Sequence, residues 1–240
     1  MRKLLKAISA AAINVGMVAV ISCGGSGDNS PEDTIGETPR EQATSVSTEK
    51  PDETSTAKSI LLTVHDFPPG WAEERSNEES SPLDECDPKG APGKSAEAET
   101  GDFSDGSDFT ISQSVAIFES ETHVTNALER IEEIAACFVE TISGGDLDDE
   151  TAEYSDASFS PLSFRAKGDD SRAYRFKFHV QAKGETGIGS EGDVFFDIVY
   201  LRVGRVGIQI YAFDTYSAPD PDEWEPYVDI AVQRAQTGVD

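Results

Sequence analysis

The feature that most constrains the fold is an almost wholly apolar run at residues 194–203, followed directly by Gly204-Arg205. A run of strand length with so few polar residues predicts a central strand that is covered on both faces. Gly204-Arg205 fits a two-residue hairpin turn with glycine first, so residues 206–213 are expected to return antiparallel to it. These residues predict the middle of an antiparallel sheet.

Other segments are predicted to extend this sheet. Residues 172–182 alternate well between apolar and polar side chains, residues 108–118 alternate partly, and residues 154–165 form an irregular strand-like run. Because the strands cluster in the chain instead of alternating with helices, the sequence predicts the α+β class.

Three helices are predicted, one before the strands in the sequence, one between them and one after them. Residues 122–142 carry an apolar stripe that ends at Gly144-Gly145, namely Val124, Leu128, Ile131, Ile134, Phe138 and Ile142. A final helix at 221–236 has a predicted inner face of Trp224, Tyr227, Val228 and Ala231. A short helix is predicted at 59–63, ended by Pro68-Pro69-Gly70, and residues 76–106 have the composition of a long acidic loop.

The N-terminus has the pattern of an export signal. Arg2, Lys3 and Lys6 precede a mostly apolar stretch at 7–21 that is short for a membrane span. Val20-Ile21-Ser22-Cys23 resembles the bacterial lipobox, in which the cysteine takes a diacylglyceryl thioether and the chain is cut just before it. This resemblance implies a signal peptide at 1–22 and lipidation of Cys23, with the protein held at the outer face of the cell membrane. The alternative is an uncleaved apolar anchor.

The composition separates a linker from a domain and excludes one class of partner. Residues 24–56 contain almost no apolar side chains, so the lipidated cysteine and an acidic, disordered linker are predicted at 23–56 and the α+β domain at 57–240. The net charge is −27, and removal of the signal takes away three basic residues and no acid, which gives about −30. Such a charge argues against nucleic-acid binding and against electrostatic attachment to anionic lipid.

Two cysteines remain after Cys23. Exported proteins meet oxidising conditions, so Cys86 and Cys137 are expected to form a disulfide that closes a loop of about 50 residues. Two free thiols or a redox pair are the alternatives, although the chain has no CxxC motif.

No motif in the sequence predicts catalysis, a metal or a cofactor. The GxGxxG match at 187–192 joins two predicted strands where a dinucleotide site needs a helix, and Gly93-Lys94-Ser95 lacks the earlier glycine of a phosphate loop. The histidines, His65, His123 and His179, are spread over three predicted elements. Acid clusters at 102–108 and 146–150 lack the spacing of a calcium loop, and solvated acids are the favoured interpretation.

The segment from Leu61 to Trp71, with its Asp66-Phe67-Pro68-Pro69-Gly70-Trp71 motif, is similar to the opening of the PknH-like extracellular sensor domains of actinobacterial kinases and lipoproteins. The order of Cys86, Cys137, the Arg202–Val206 hairpin and the Trp224 helix also resembles that family. The resemblance implies a twisted antiparallel sheet flanked by helices, with a cleft for an unknown ligand. A related fold, the PsbP/Mog1-like fold, has a similar architecture.

These observations predict a lipid-anchored, non-catalytic domain that binds a ligand or acts as a sensor, with an unknown small ligand or an envelope protein as partner. A protein-interaction or scaffolding lipoprotein is the alternative. A hydrolase whose residues meet only in space is a third, less favoured hypothesis.

Overall fold

The computed structural model describes residues 52–74, 86–87, 90–145, 152–183, 191–215 and 217–238. The strands are β1 (Ala72–Glu74), β2 (Lys94–Glu99), β3 (Asp102–Ser104), β4 (Thr110–Phe118), β5 (Ala152–Pro161), β6 (Asp170–Ala182), β7 (Glu191–Val203) and β8 (Val206–Asp214). The helices are α1 (Glu53–Ile60), α2 (Glu121–Glu129), α3 (Ile131–Ser143) and α4 (Pro221–Gly238), with a 3-10 turn at Val64–Asp66.

The eight strands form one antiparallel sheet in the order β1-β3-β4-β8-β7-β6-β5, and β2 pairs with β4 next to β3. β7 lies between β6 and β8, and its residues from Val194 to Leu201 are buried apart from the half-buried Phe195. The β7–β8 hairpin turns at Gly204, whose φ of 55° favours a residue without a side chain. The predicted central hairpin and the α+β class are therefore confirmed.

Helices cover both faces of the sheet. On the first face, α1 and α4 enclose a core that includes Ile60, Val199, Ile208 and the fully buried Trp224. On the second face, α3 packs over β5, β6 and β7 through an aromatic-rich core that includes Phe138, Phe176, Phe178 and Phe196. α2 contacts β4, β7 and β8 on the same face. The predicted inner face of the last helix is confirmed, since Trp224, Tyr227, Val228 and Ala231 are all buried.

The predicted helix at residues 59–63 was misplaced. The helix runs from Glu53 to Ile60 because Asp52 caps its N-terminus, its carboxylate accepting the Thr54 amide hydrogen. The helix thus begins inside the segment predicted as linker, and residues 61–63 continue as non-helical chain.

The predicted loop at 76–106 contains two strands in its described part. β2 and β3 both pair with β4. β2 has Lys, Ser, Ala and Glu residues and no bulky apolar side chain, and β3 has one, the buried Phe103. Pairing with a distant strand stabilises these segments where local composition does not.

The predicted single helix at 122–142 is two helices. They meet at Arg130, whose amide bonds to the Ala127 carbonyl in a tighter turn. The irregular strand-like run at 154–165 is β5, and its irregularity is a bulge between Ser155 and Ser158 with Asp156 at a φ of 52°.

Candidate functional site

A cavity of about 70 Å³ lies on the second face of the sheet, under α2 and the start of α3. Its floor comes from β2, β4, β7 and β8, and the segment that follows Cys86 forms part of its wall. A water molecule needs roughly 10–15 Å³ of cavity volume, so the cavity has room for about five to seven non-hydrogen atoms. A molecule smaller than a nucleotide or a disaccharide fits it.

Much of the lining is apolar and comes from both helices and the sheet. The roof is formed by Val124, Ala127, Leu128, Ile131 and Ile134, and the apolar floor on this face includes Ala116, Phe118 and Gly207. Gly207 leaves space next to the Phe118 ring, because a Cβ added at this position would lie 3.1 Å from that ring. The stripe that sequence analysis assigned to helix packing therefore also roofs a cavity.

Ser114 and Gln209 give the cavity a polar side, and Tyr211 bonds to Gln209 from outside the lining. The Gln209 carbonyl oxygen accepts hydrogen bonds from the Ser114 hydroxyl at 3.2 Å and from the Tyr211 hydroxyl at 2.8 Å. Both acceptor positions of that oxygen are thereby used, which orients the amide nitrogen of Gln209. Among the described residues, this nitrogen has no acceptor.

Tyr200 also lines the cavity and is 5% exposed. Burial raises its pKa far above that of an ordinary phenol, so its hydroxyl stays protonated. Within the described part of the chain, this hydroxyl has no hydrogen-bond partner. The Tyr200 hydroxyl can therefore donate a hydrogen bond to a molecule in the cavity.

Two ion pairs flank the cavity. Lys94 on β2 pairs with Glu97, and Arg130 pairs with the buried Asp87 while donating to the Gly90 carbonyl at 3.0 Å. Burial raises the pKa of Glu97 above its usual range, and Lys94 opposes that effect. The four charges cancel, so the ionisable lining is neutral overall.

The Cys86–Cys137 disulfide is present and ties the wall segment to α3, as predicted. Asp87 follows directly in the chain, so the covalent link and the Arg130 pair hold the same stretch against the helices. Cys23 lies outside the described residues.

The other residues singled out in the sequence do not gather at the cavity, apart from Lys94. Lys94, which the sequence analysis did not accept as part of a phosphate loop, lines the cavity. His123 packs against Gly93, and its ring is hydrogen-bonded to the Ser120 hydroxyl. His179 lies on β6 beside Asp193 and Glu191, at 3.1 and 3.3 Å. Most of the GxGxxG match and the acid cluster at 146–150 lie outside the described residues. No group of metal-binding side chains was found in the described ranges.

Sequence reasoning missed Glu97, Ser114, Tyr200 and Gln209. The available signal was weak: a single glutamine between Ile208 and Ile210 in a strand that is otherwise apolar. A glutamine in such a buried strand has to face either a hydrogen-bonding group or a cavity on one side of the sheet.

The fold and the cavity together define an α+β domain whose antiparallel sheet carries helices on both faces and a small, partly open cavity under one helix pair. A solved structure similar to it is the extracellular domain of PknH from Mycobacterium tuberculosis, at 11% sequence identity and a TM-score of 0.34, covering 79% of this chain and 98% of that chain. This similarity is weak and concerns the fold alone. No family model and no curated protein matches the chain. Among the described residues, no helix is both long and apolar enough to cross a membrane.

Proposed function

We propose that this protein is an extracytoplasmic lipoprotein, held to the membrane by lipid on Cys23, whose domain binds a small ligand in the cavity under α2 and α3 without catalysing a reaction on it. The observation that carries the ligand-binding part is the cavity itself, with the Tyr200 hydroxyl and the Gln209 amide nitrogen facing no protein acceptor in the described chain. Apolar cavities with a few convergent polar groups are the usual form of small-molecule sites.

The surface favours this proposal over a scaffolding role. A protein-binding surface usually presents a contiguous apolar patch. Among the described residues, Val64 is the only large apolar side chain classed as exposed, at 37%. The edge strand β5 carries a bulge and ends at Pro161, two features that discourage pairing with a further strand.

The anchor rests on the lipobox-like segment ending at Cys23 and on the negative charge of the chain. An acidic protein gains no attraction from an anionic lipid surface, whereas each buried acyl CH₂ contributes about 0.8 kcal/mol to membrane attachment. The same charge argues against nucleic acid as a partner.

Native mass spectrometry of the protein purified from its host tests ligand binding. We expect an added mass that is released on unfolding, and the variant Ala116→Leu should lose it because the larger side chain fills the cavity floor. The matched control is Ala72→Leu on the exposed strand β1. If the wild-type protein and both variants have the bare mass, and envelope lipids and glycans give no thermal shift, the ligand-binding proposal is wrong.

A further inference from the structure

The cavity lining also indicates what kind of molecule fits, and this inference rests on the proposed ligand-binding function. We propose that the ligand is an uncharged molecule of about five to seven non-hydrogen atoms, or the end of a longer one, with an apolar body and an oxygen that accepts hydrogen bonds. Alcohols, ketones and esters belong to this class, and carboxylates and amines do not.

The absence of charge follows from the two ion pairs. Each cation of the lining already holds a carboxylate, Lys94 with Glu97 and Arg130 with Asp87. An anionic ligand would have to displace Glu97 or Asp87 from its partner, and a cationic ligand would have to displace Lys94 or Arg130. Burying a further charge beside two satisfied pairs is costly, so a neutral ligand is favoured.

The hydrogen-bonding character follows from Gln209 and Tyr200. Because the Gln209 oxygen is occupied by Ser114 and Tyr211, the group it can still offer is an N–H donor. The Tyr200 hydroxyl stays protonated and adds an O–H donor. Two donors on one side of an apolar space fit an acceptor oxygen, which would take the place of solvent at both groups.

The apolar body follows from the roof and floor. Leu128, Ile131 and Ile134 face Ala116 and Phe118 across the space, so the part of the ligand away from its oxygen lies mainly against apolar side chains. Burial of a short alkyl chain there is favourable in proportion to its area.

Four probes of nearly equal length test this inference on the full chain in detergent: 1-hexanol, 2-hexanone, hexanoate and hexylammonium. The methyl NMR signals of Leu128, Ile131 and Ile134 report binding, with free probe concentrations taken from a micelle-only reference. At pH 7.5 we expect dissociation constants of about 0.1–5 mM for the alcohol and the ketone. Hexanoate and hexylammonium should bind at least about tenfold more weakly.

Two substitutions assign the binding to this cavity. Tyr200→Phe should weaken 1-hexanol about five- to tenfold by removing one donor. The matched control Tyr174→Phe removes the hydroxyl of a neighbouring tyrosine that bonds to Glu132 outside the cavity, and it should change binding less than twofold. Ala116→Leu should abolish the shifts with every probe.

The outcomes separate the two proposals. If hexanoate or hexylammonium binds as tightly as 1-hexanol and Ala116→Leu removes both, the cavity binds ligands and the uncharged class is wrong. If no probe binds while the protein from its host carries a ligand in the cavity, the uncharged class is again wrong and ligand binding stands. If no probe binds and the host protein carries no ligand, ligand binding itself is wrong.

Discussion

Arg175 on β6 holds Asp197 on β7 in a two-pronged ion pair, with nitrogen–oxygen distances of 2.6 and 2.7 Å. Asp197 is fully buried and also accepts a hydrogen bond from the indole of Trp224 at 3.3 Å. Arg175 donates in addition to the Pro219 carbonyl at 2.6 Å, just before α4. The pair therefore joins the centre of the sheet to the segment that starts the last helix.

Removal of this carboxylate should strongly destabilise the protein. We expect Asp197→Asn to lower the free energy of unfolding by about 3 kcal/mol, because Arg175 loses its counter-charge in a largely buried site. Urea unfolding followed by circular dichroism measures the change. The matched control is Asp193→Asn on the same strand, whose pair with Lys177 is about 40% exposed and is worth less than about 1 kcal/mol. Equal losses for the two variants would contradict the role given to Asp197.

The disulfide should contribute more to stability than any single surface contact. Cys86 and Cys137 are 51 residues apart in sequence, and a crosslink of that span restricts the unfolded chain by about 4 kcal/mol. We expect the double variant Cys86→Ser/Cys137→Ser to lose about this amount in urea unfolding. Wild-type protein treated with a reductant should match the double variant. A wild-type midpoint that does not move on reduction would show that the bond carries no such stabilisation.

The parts of the fold that could be predicted are those whose burial leaves a mark on composition. β7 is covered on both faces, so residues 194–203 are apolar, and α4 turns Trp224 and Val228 to the core at helical spacing. β2 could not be predicted because its Ala and Glu residues owe their strand conformation to pairing with β4. The helix break at Arg130 could not be predicted from the sequence, because the apolar stripe of residues 122–142 continues across it and both helices pack on the same sheet.

The cavity was beyond sequence reasoning for a related reason. Its polar residues lie on four strands and meet only when the register places Ser114 opposite Gln209. Asp197 in the apolar run and Gln209 between two isoleucines were the available signals. Each is one polar residue in an apolar strand. The sequence does not show that Asp197 belongs to a buried ion pair and Gln209 to the cavity wall.

The imidazole of His179 should titrate above the usual pKa of 6.5. Its hydrogen bond to Asp193 raises the pKa, and Glu191 acts in the same direction. The charged form is favoured in the folded state, so its stabilisation is complete below pH 6.5 and is lost as pH rises through the raised value. The gain is below about 0.5 kcal/mol because the site is solvent-accessible. An NMR titration should show the pKa falling in Asp193→Asn, and an unchanged value in that variant would contradict this cause.

Membrane attachment should depend on Cys23 and should not depend on salt. The chain has a net charge of −27, and the proposed cleavage before Cys23 would make it about −30, so anionic lipid repels it and the acyl chains proposed on Cys23 have to supply the attachment. We expect the wild-type protein to stay with the membrane fraction from low salt to 1 M salt, since hydrocarbon burial is not screened. Electrostatic attachment would weaken over that range, where the screening length falls to about 3 Å.

The variant Cys23→Ser separates lipid attachment from an uncleaved apolar anchor. Without the thiol, the chain should lose the diacylglyceryl mass, and the processing that follows lipidation should stop. Mass spectrometry of the N-terminal peptide measures both changes. The control is Ser22→Ala, which keeps a small residue before the cysteine and should be lipidated and cut like the wild type. If Cys23→Ser fractionates with the membrane and has the same N-terminus and mass as the wild-type chain, apart from the sulfur-to-oxygen exchange, the lipoprotein proposal is wrong and the apolar segment itself is the anchor.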